Sequence, residues 1–206
     1  MWIAEYSTRN MVGGPFQVED TERYALQKAC LARLARSGGV SVTYRPYRAA
    51  MEWDGTTRWL QRSGGVRIDA LKPLLELIVQ HDVMVTDTSS GTVWGEVLAV
   101  GKPLILYVDP EQVRLMPDFT VMLERACRWC RTADELTEAV DELASQPAAA
   151  LAALRRADPS AFLRRYVLGD HPSPAERTLS FLSTVCRGRR TLEAWEGPMR
   201  SAAAVG

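Results

Sequence analysis

Residues 82–109 read DVMVTDTSSGTVWGEVLAVGKPLILYVD, and this stretch decides the fold class. Residues 82–86 are a short, nearly continuous apolar run, the pattern of a strand covered on both faces. The small-residue turn Asp87-Thr88-Ser89-Ser90-Gly91 follows. Residues 90–100 then space their apolar side chains as a helix, with Gly101 placed to end it. Residues 103–108 return as a second buried strand. Trp94 and Leu98 stand four apart on one helical stripe, so Trp94 is expected to face the sheet.

The same alternation extends in both directions. Residues 1–7 read as a first strand and residues 8–16, with Asn, Gly and Pro, as a loop. Residues 19–36 carry Tyr24, Leu26, Cys30, Leu31 and Leu34 at helical spacing, with Thr21 as a candidate cap. Residues 40–44 are β-rich and stop before Pro46. Residues 51–65 are polar, aromatic and glycine-containing, without a clear period, and residues 66–69 read as a short strand. A helix over 71–80 is expected to turn Leu74, Leu75 and Ile78 inward. Further on come a helix over 119–125, a strand over 128–130 and a helix over 133–145. That helix carries a capping-box pattern at Thr132 and Glu135. Residues 148–156, 162–166 and 174–185 also look helical. Strands alternating with helices in this way predict an α/β fold, a doubly wound and mostly parallel sheet of Rossmann-like type. The expected organisation is one domain over residues 1–186 with a flexible tail over 187–206.

Composition narrows the function classes. Of 206 residues, 47% are hydrophobic, and 25 basic side chains balance 25 acidic ones. Nucleic-acid binders carry a basic excess or stripe, so nucleic acid is not an expected partner. No apolar run approaches the roughly 20 residues of a membrane-spanning helix. The N-terminal residues lack the pattern of a signal peptide. The expected location is therefore cytoplasmic, with at most a peripheral place at the inner face of the membrane. Cys127 and Cys130 form a lone C-x-x-C without a second pair or nearby histidines, which reads as two structural cysteines; no metal is expected.

The turn after residue 86 carries the chemistry. Parallel α/β sheets bind ligands at the carboxyl ends of their strands. A helix N-terminus there presents unpaired N–H groups and the positive end of its dipole, which favours a phosphate. Ser89 and Ser90 add hydroxyl donors, and Gly91 admits a close approach. The plainer alternative is that Thr88, Ser89 and Ser90 only cap the helix.

The segment resembles the donor-site region of the CDP-glycerol glycerophosphotransferase group and of bacterial surface-carbohydrate transferases of the glycosyltransferase-B fold. Their pattern D-v-x-x-T-D-x-S-S, a helix, then E-x-x-x-x-G-K-P is matched by Asp82, Thr86, Asp87, Ser89, Ser90, Glu96, Gly101, Lys102 and Pro103. It is also similar to nucleotide-sugar 2-epimerases, which have a related turn. The resemblance implies a nucleoside-diphosphate donor as substrate, CDP- or UDP-linked, and no separate cofactor. It implies that Asp87, Thr88, Ser89, Ser90, Gly91 and Thr92 surround the diphosphate and that Glu96 bonds the ribose hydroxyls. Where such families carry K-x-H-P, this chain has Thr43, Tyr44, Arg45 and Pro46; Arg45 replaces the histidine and is a candidate phosphate partner. No catalytic role carries over from that histidine, and the catalytic base is unassigned. Residues 162–178 resemble the closing segment of such domains, and His171 there reads as a surface residue.

Such transferases have two Rossmann-like domains, and only the donor-binding one is matched. The expected function is the donor-binding half of a transferase that moves a sugar or glycerophosphate to a surface-polymer acceptor, as in cell-envelope polysaccharide biosynthesis. It would work with an acceptor-binding domain or subunit. The alternatives are a non-catalytic nucleotide-binding or interaction module and, behind it, an epimerase-like enzyme. Phe16, Tyr47, Trp53 and Trp59 are expected on the face toward the missing half, where self-association would occur; in the other reading Trp53 and Trp59 fold inward.

Overall fold

A computed structural model of the chain describes residues 1–4, 20–47, 54–87, 91–111 and 113–168. Met1–Val167 form one compact unit. The expected helix over 174–185, the boundary at 186 and His171 lie outside the described residues, as do Phe16, Trp53 and Thr88 to Ser90.

Among the described residues six strands form one sheet: β1 (Trp2–Ile3), β2 (Thr43–Arg45), β3 (Arg67–Ile68), β4 (Met84–Thr86), β5 (Leu104–Tyr107) and β6 (Arg128–Cys130). Their order is β3-β2-β1-β4-β5-β6, and every pairing is parallel. This is the doubly wound, Rossmann-like α/β arrangement. The helices α1 (Asp20–Arg36), α2 (Gly55–Ser63), α3 (Leu74–Gln80), α4 (Gly91–Ala99), α5 (Pro117–Ala126), α6 (Ala133–Ser145), α7 (Pro147–Leu154) and α8 (Ser160–Phe162) cover its two faces. A π-helical turn, Leu163–Leu168, follows α8.

Strand alternation builds both cores at once. Trp2, Tyr44, Val85, Ile105, Tyr107 and Cys130 point to the layer of α1, α2, α6 and α7. Ile3, Met84, Leu104, Leu106 and Trp129 point to the layer of α3, α4, α5 and α8. The runs over β4 and β5 are apolar throughout because both faces are covered. Cys127 and Cys130 belong to opposite cores, so the C-x-x-C pair is split by the sheet. Burial pushes the Cys130 thiol up to about 11 and raises Cys127 further.

Local chemistry explains the helix ends. Thr132 accepts the Glu135 N–H at 3.1 Å, and the Glu135 carboxylate accepts the Arg131 N–H at 2.6 Å. Gly101 sits at φ 74° and closes α4. Its N–H reaches the Leu98 carbonyl, and the Lys102 N–H reaches that of Val97. This is the Schellman arrangement, which needs a left-handed residue at that point.

One helix is added to the sequence reading and two expectations are corrected. Residues 51–65 contain a helix, α2, started by Asp54, whose carboxylate accepts the N–H groups of Thr56 and Thr57. Thr21 lies within α1, which begins at Asp20. Leu75 points outward at 53% exposure, and Leu77 takes its place in the core. Leu75 and Leu77 lie on opposite sides of the Leu74–Ile78 stripe, and the helix, which begins at Leu74 after an Asp69 turn, is rotated so that Leu77 is the one that meets the core. The inward stripe of α3 is then Leu74, Leu77 and Ile78.

Candidate functional site

The strand order creates a crevice. β1 and β4 are neighbours, but β1 leads to α1 on one face and β4 leads to α4 on the other. At such a divergence, ligands of open α/β sheets bind outside the carboxyl ends of the strands. The ends of β1, β2, β4 and β5, at Ile3, Arg45, Thr86 and Tyr107, lie along this edge. The first turn of α4 opens directly on it.

Under the edge runs a buried polar network. Gln27 on α1 is 3% exposed and Asp87, just past β4, is 6% exposed. Gln27 Nε2 donates to Asp87 Oδ2 at 2.6 Å. The same amide's oxygen accepts from Thr56 Oγ1 at 2.6 Å. The Tyr44 hydroxyl donates to Asp54 Oδ2 at 2.9 Å and lies 3.4 Å from Gln27 Oε1. The Thr57 hydroxyl also donates to Asp54. Burial, followed by the charges of Asp54 and Asp87, pushes the Tyr44 phenol well above its ordinary range, so it stays a donor. Thr86 is fully buried and donates its hydroxyl to the Ile3 carbonyl at 2.9 Å, stitching β4 to β1.

The expected site residues fall as follows. Asp87 turns its carboxylate onto Gln27. Gly91 opens α4 and Thr92 is exposed on its first turn. Glu96 is half-buried on α4, five residues beyond Gly91, roughly 7–8 Å along the axis. Arg45 closes β2 and donates from Nη1 to the Asp69 carbonyl at 3.1 Å, which holds it on the β2–β3 side of the edge. The two strand-end placements and the α4 turn therefore share one edge, with Arg45 set to one side of the crevice.

Sequence reasoning missed Gln27 and Arg23. Both are buried on α1, one turn apart, so they share the face that meets the edge. Arg23 is near enough to counter the upward push that burial, Asp109, Asp87 and Glu22 exert on the Tyr107 phenol. A Gln or Arg at helical spacing reads as a solvated face. The usable signal was their position four apart beside Cys30 and Leu31.

Of the four aromatics expected on this face, Tyr47 is exposed at 51%. Trp59 packs against the α1–α2 core with the Lys28 ammonium 5.8 Å from its ring, which is the inward reading. A cavity of about 500 Å³ lies at the other end of the sheet, by the amino ends of the strands, lined by Val40, Val42, Arg67, His81 and Leu151 among others. It is far from the strand divergence. Among the described residues no group of side chains is arranged to hold a metal ion, and no helix is long and apolar enough to cross a membrane.

Residues 4–149 match the LIC12162 family transferase model. The chain belongs to this transferase family. No curated protein sequence matches it. Two solved structures are similar. One is the UDP-GlcNAc 2-epimerase of Methanocaldococcus jannaschii in complex with UDP-GlcNAc and UDP, at 14% identity over 70% of this chain, with a TM-score of 0.47. The other is the glycotransferase of kitacinnamycin, at 23% identity over 75% of this chain, with a TM-score of 0.41. The chain spans 38% of the length of each.

Proposed function

We propose that this member of the LIC12162 transferase family is the donor-binding half of a glycosyltransferase-B-type enzyme, holding a nucleoside-diphosphate donor at the crevice between β1 and β4. The observation that carries the reading is that α4 begins at Gly91, four residues beyond Asp87 just past β4, with Thr92 exposed on its first turn. Backbone N–H groups at Gly91 and Thr92, with the helix dipole, would stabilise the negative charge that grows on the departing nucleotide. Ser89 and Ser90 would add hydroxyl contacts, Glu96 would accept the ribose hydroxyls, and Arg45 would approach the phosphates from the β2 side. In the reaction, an acceptor hydroxyl forms a bond to the transferred sugar or glycerophosphate as the bond to the nucleotide breaks. The acceptor comes from a second domain or subunit, on the cytoplasmic side of the envelope, and the CDP- and UDP-linked donors are the first to test.

The experiment is isothermal titration with CDP, UDP and GDP, alongside thermal shift. A saturating nucleotide raises stability by mass action, about 2.7 kcal/mol at a hundredfold excess over Kd. Ser90→Asp and Thr92→Asp place a carboxylate where it favours the helix dipole but opposes a phosphate. Both variants are expected to lose nucleotide binding while keeping their melting temperature. Affinity equal to that of the wild type would remove the α4 turn as the site. Arg45 in place of a histidine supports a second reading, a non-catalytic nucleotide-binding module; turnover with a supplied acceptor-binding partner separates the two.

A further inference from the structure

We propose that Gln27 is the positioning residue of the site, a buried amide that fixes the carboxyl end of β4 against α1 and α2, beside the first turn of α4. The inference deepens the donor-binding reading and rests on it for the ligand. Gln27 comes from α1, yet its amide joins two other elements. Its NH₂ group donates to Asp87 at 2.6 Å, and its oxygen accepts from Thr56 at 2.6 Å on α2. Thr56 is in turn set by Asp54, which caps α2 and accepts from Tyr44 of β2. Elements following β1, β2 and β4 thus meet on one side chain.

The chemistry singles out an amide. A carboxylate such as Asp87 needs a donor, and the Thr56 hydroxyl needs an acceptor; the Gln27 amide supplies both from one planar group. The bond to Asp87 is charge-assisted and buried, so it is among the stronger hydrogen bonds available. Asp87 directly follows the last residue of β4, so the bond from Gln27 holds the carboxyl end of that strand.

Gln27→Met keeps length and volume but removes both functions. Gln27→Glu keeps the acceptor and places a second carboxylate against Asp87, where the pair must share a proton to coexist. The other ionisable groups around that pair are Arg23 one turn earlier on α1, Cys30 further along α1, Tyr44 of β2, Asp54 before α2 and Tyr107 of β5. Thr56→Val leaves Asp87 its donor and frees only the far side of the amide, and it serves if Gln27→Met does not fold.

The measurements are UDP affinity by titration and amide hydrogen exchange at Gly91 to Val93. Gln27→Met is expected to weaken UDP binding about tenfold or more, the scale of one lost charge-assisted bond. Its exchange at the first turn of α4 should quicken, while exchange in α5 and α6 stays as in the wild type. Gln27→Glu should bind weakly near pH 8 and recover towards about pH 5.5, where a proton is shared. A general loss of stability with unchanged UDP affinity and uniform exchange would reduce Gln27 to a core residue and overturn the inference. A wild-type chain without affinity for any nucleotide would overturn the functional reading alone, and the exchange pattern would still decide whether Gln27 positions α4.

Discussion

Replacing Trp94 with alanine tests the packing that holds α4 beneath the site. Trp94 is 2% exposed and belongs to the core between the sheet and the α3–α5 layer. Truncation removes roughly 150–200 Å² of buried side chain, about 4–5 kcal/mol at about 25 cal/mol per Å². Partial collapse of the neighbours leaves an expected loss of about 3–5 kcal/mol. The Phe119 ring lies 6.1 Å from Trp94 and itself touches Phe162 and Tyr166 at 5.3 and 4.8 Å. Ring geometry should therefore add a coupling of about 0.5–1.5 kcal/mol in a Trp94→Ala, Phe119→Ala cycle. Urea denaturation reads the loss directly, and the melting temperature should fall by about 10 °C. A loss below about 1 kcal/mol would mean that α4 is not held by this core, and the placement of its first turn on the crevice would lose its support.

Two further outcomes are expected. Burial holds the His81 imidazole below its ordinary range, against the opposing pull of the Leu77 carbonyl; its Nδ1 donates to that carbonyl at 2.6 Å and its Nε2 accepts from Thr43 at 2.8 Å. The unfolded chain then binds the proton more tightly, so the His81 contribution to stability should be full above about pH 6.5 and fall as pH drops below it, levelling off once the folded group is protonated. Urea midpoints between about pH 5 and about pH 8 should show this slope, and His81→Gln should flatten it; equal slopes would refute the assignment. Gly101→Ala should cost about 1–2 kcal/mol from backbone strain alone, because φ is 74° and an added Cβ meets nothing within 4 Å. A neutral effect in thermal denaturation would contradict the Schellman ending of α4.

The parts of the fold that could be read from the sequence are those where one physical signal dominates. The runs at β4 and β5 are apolar on both faces, so little else fits them. The Thr132–Glu135 pair marks the start of α6 by its own hydrogen bonding. Helix α2 was hidden because its Thr-Thr-Arg-Trp opening lacks apolar period; the signal was Asp54, whose carboxylate satisfies the first N–H groups. Leu75 and Leu77 flank the Leu74–Ile78 stripe on opposite sides, so periodicity alone does not say which of them faces the core. Strand β4 and helix α4, on either side of residues 88–90, were visible because each is a contiguous run. Gln27 was not, because its meaning comes from partners 60 and 29 positions away.

The division of Cys30 and Cys130 from Cys127 by the sheet makes the chain its own stopwatch for unfolding. A thiol-alkylating reagent cannot reach any of the three while the layers are closed, since all are buried. The first two report the lifting of the α1–α6 layer and the third that of the α4–α5 layer. Mass spectrometry of timed alkylation would therefore show whether the two sides of the sheet come away together or in turn, without any introduced label.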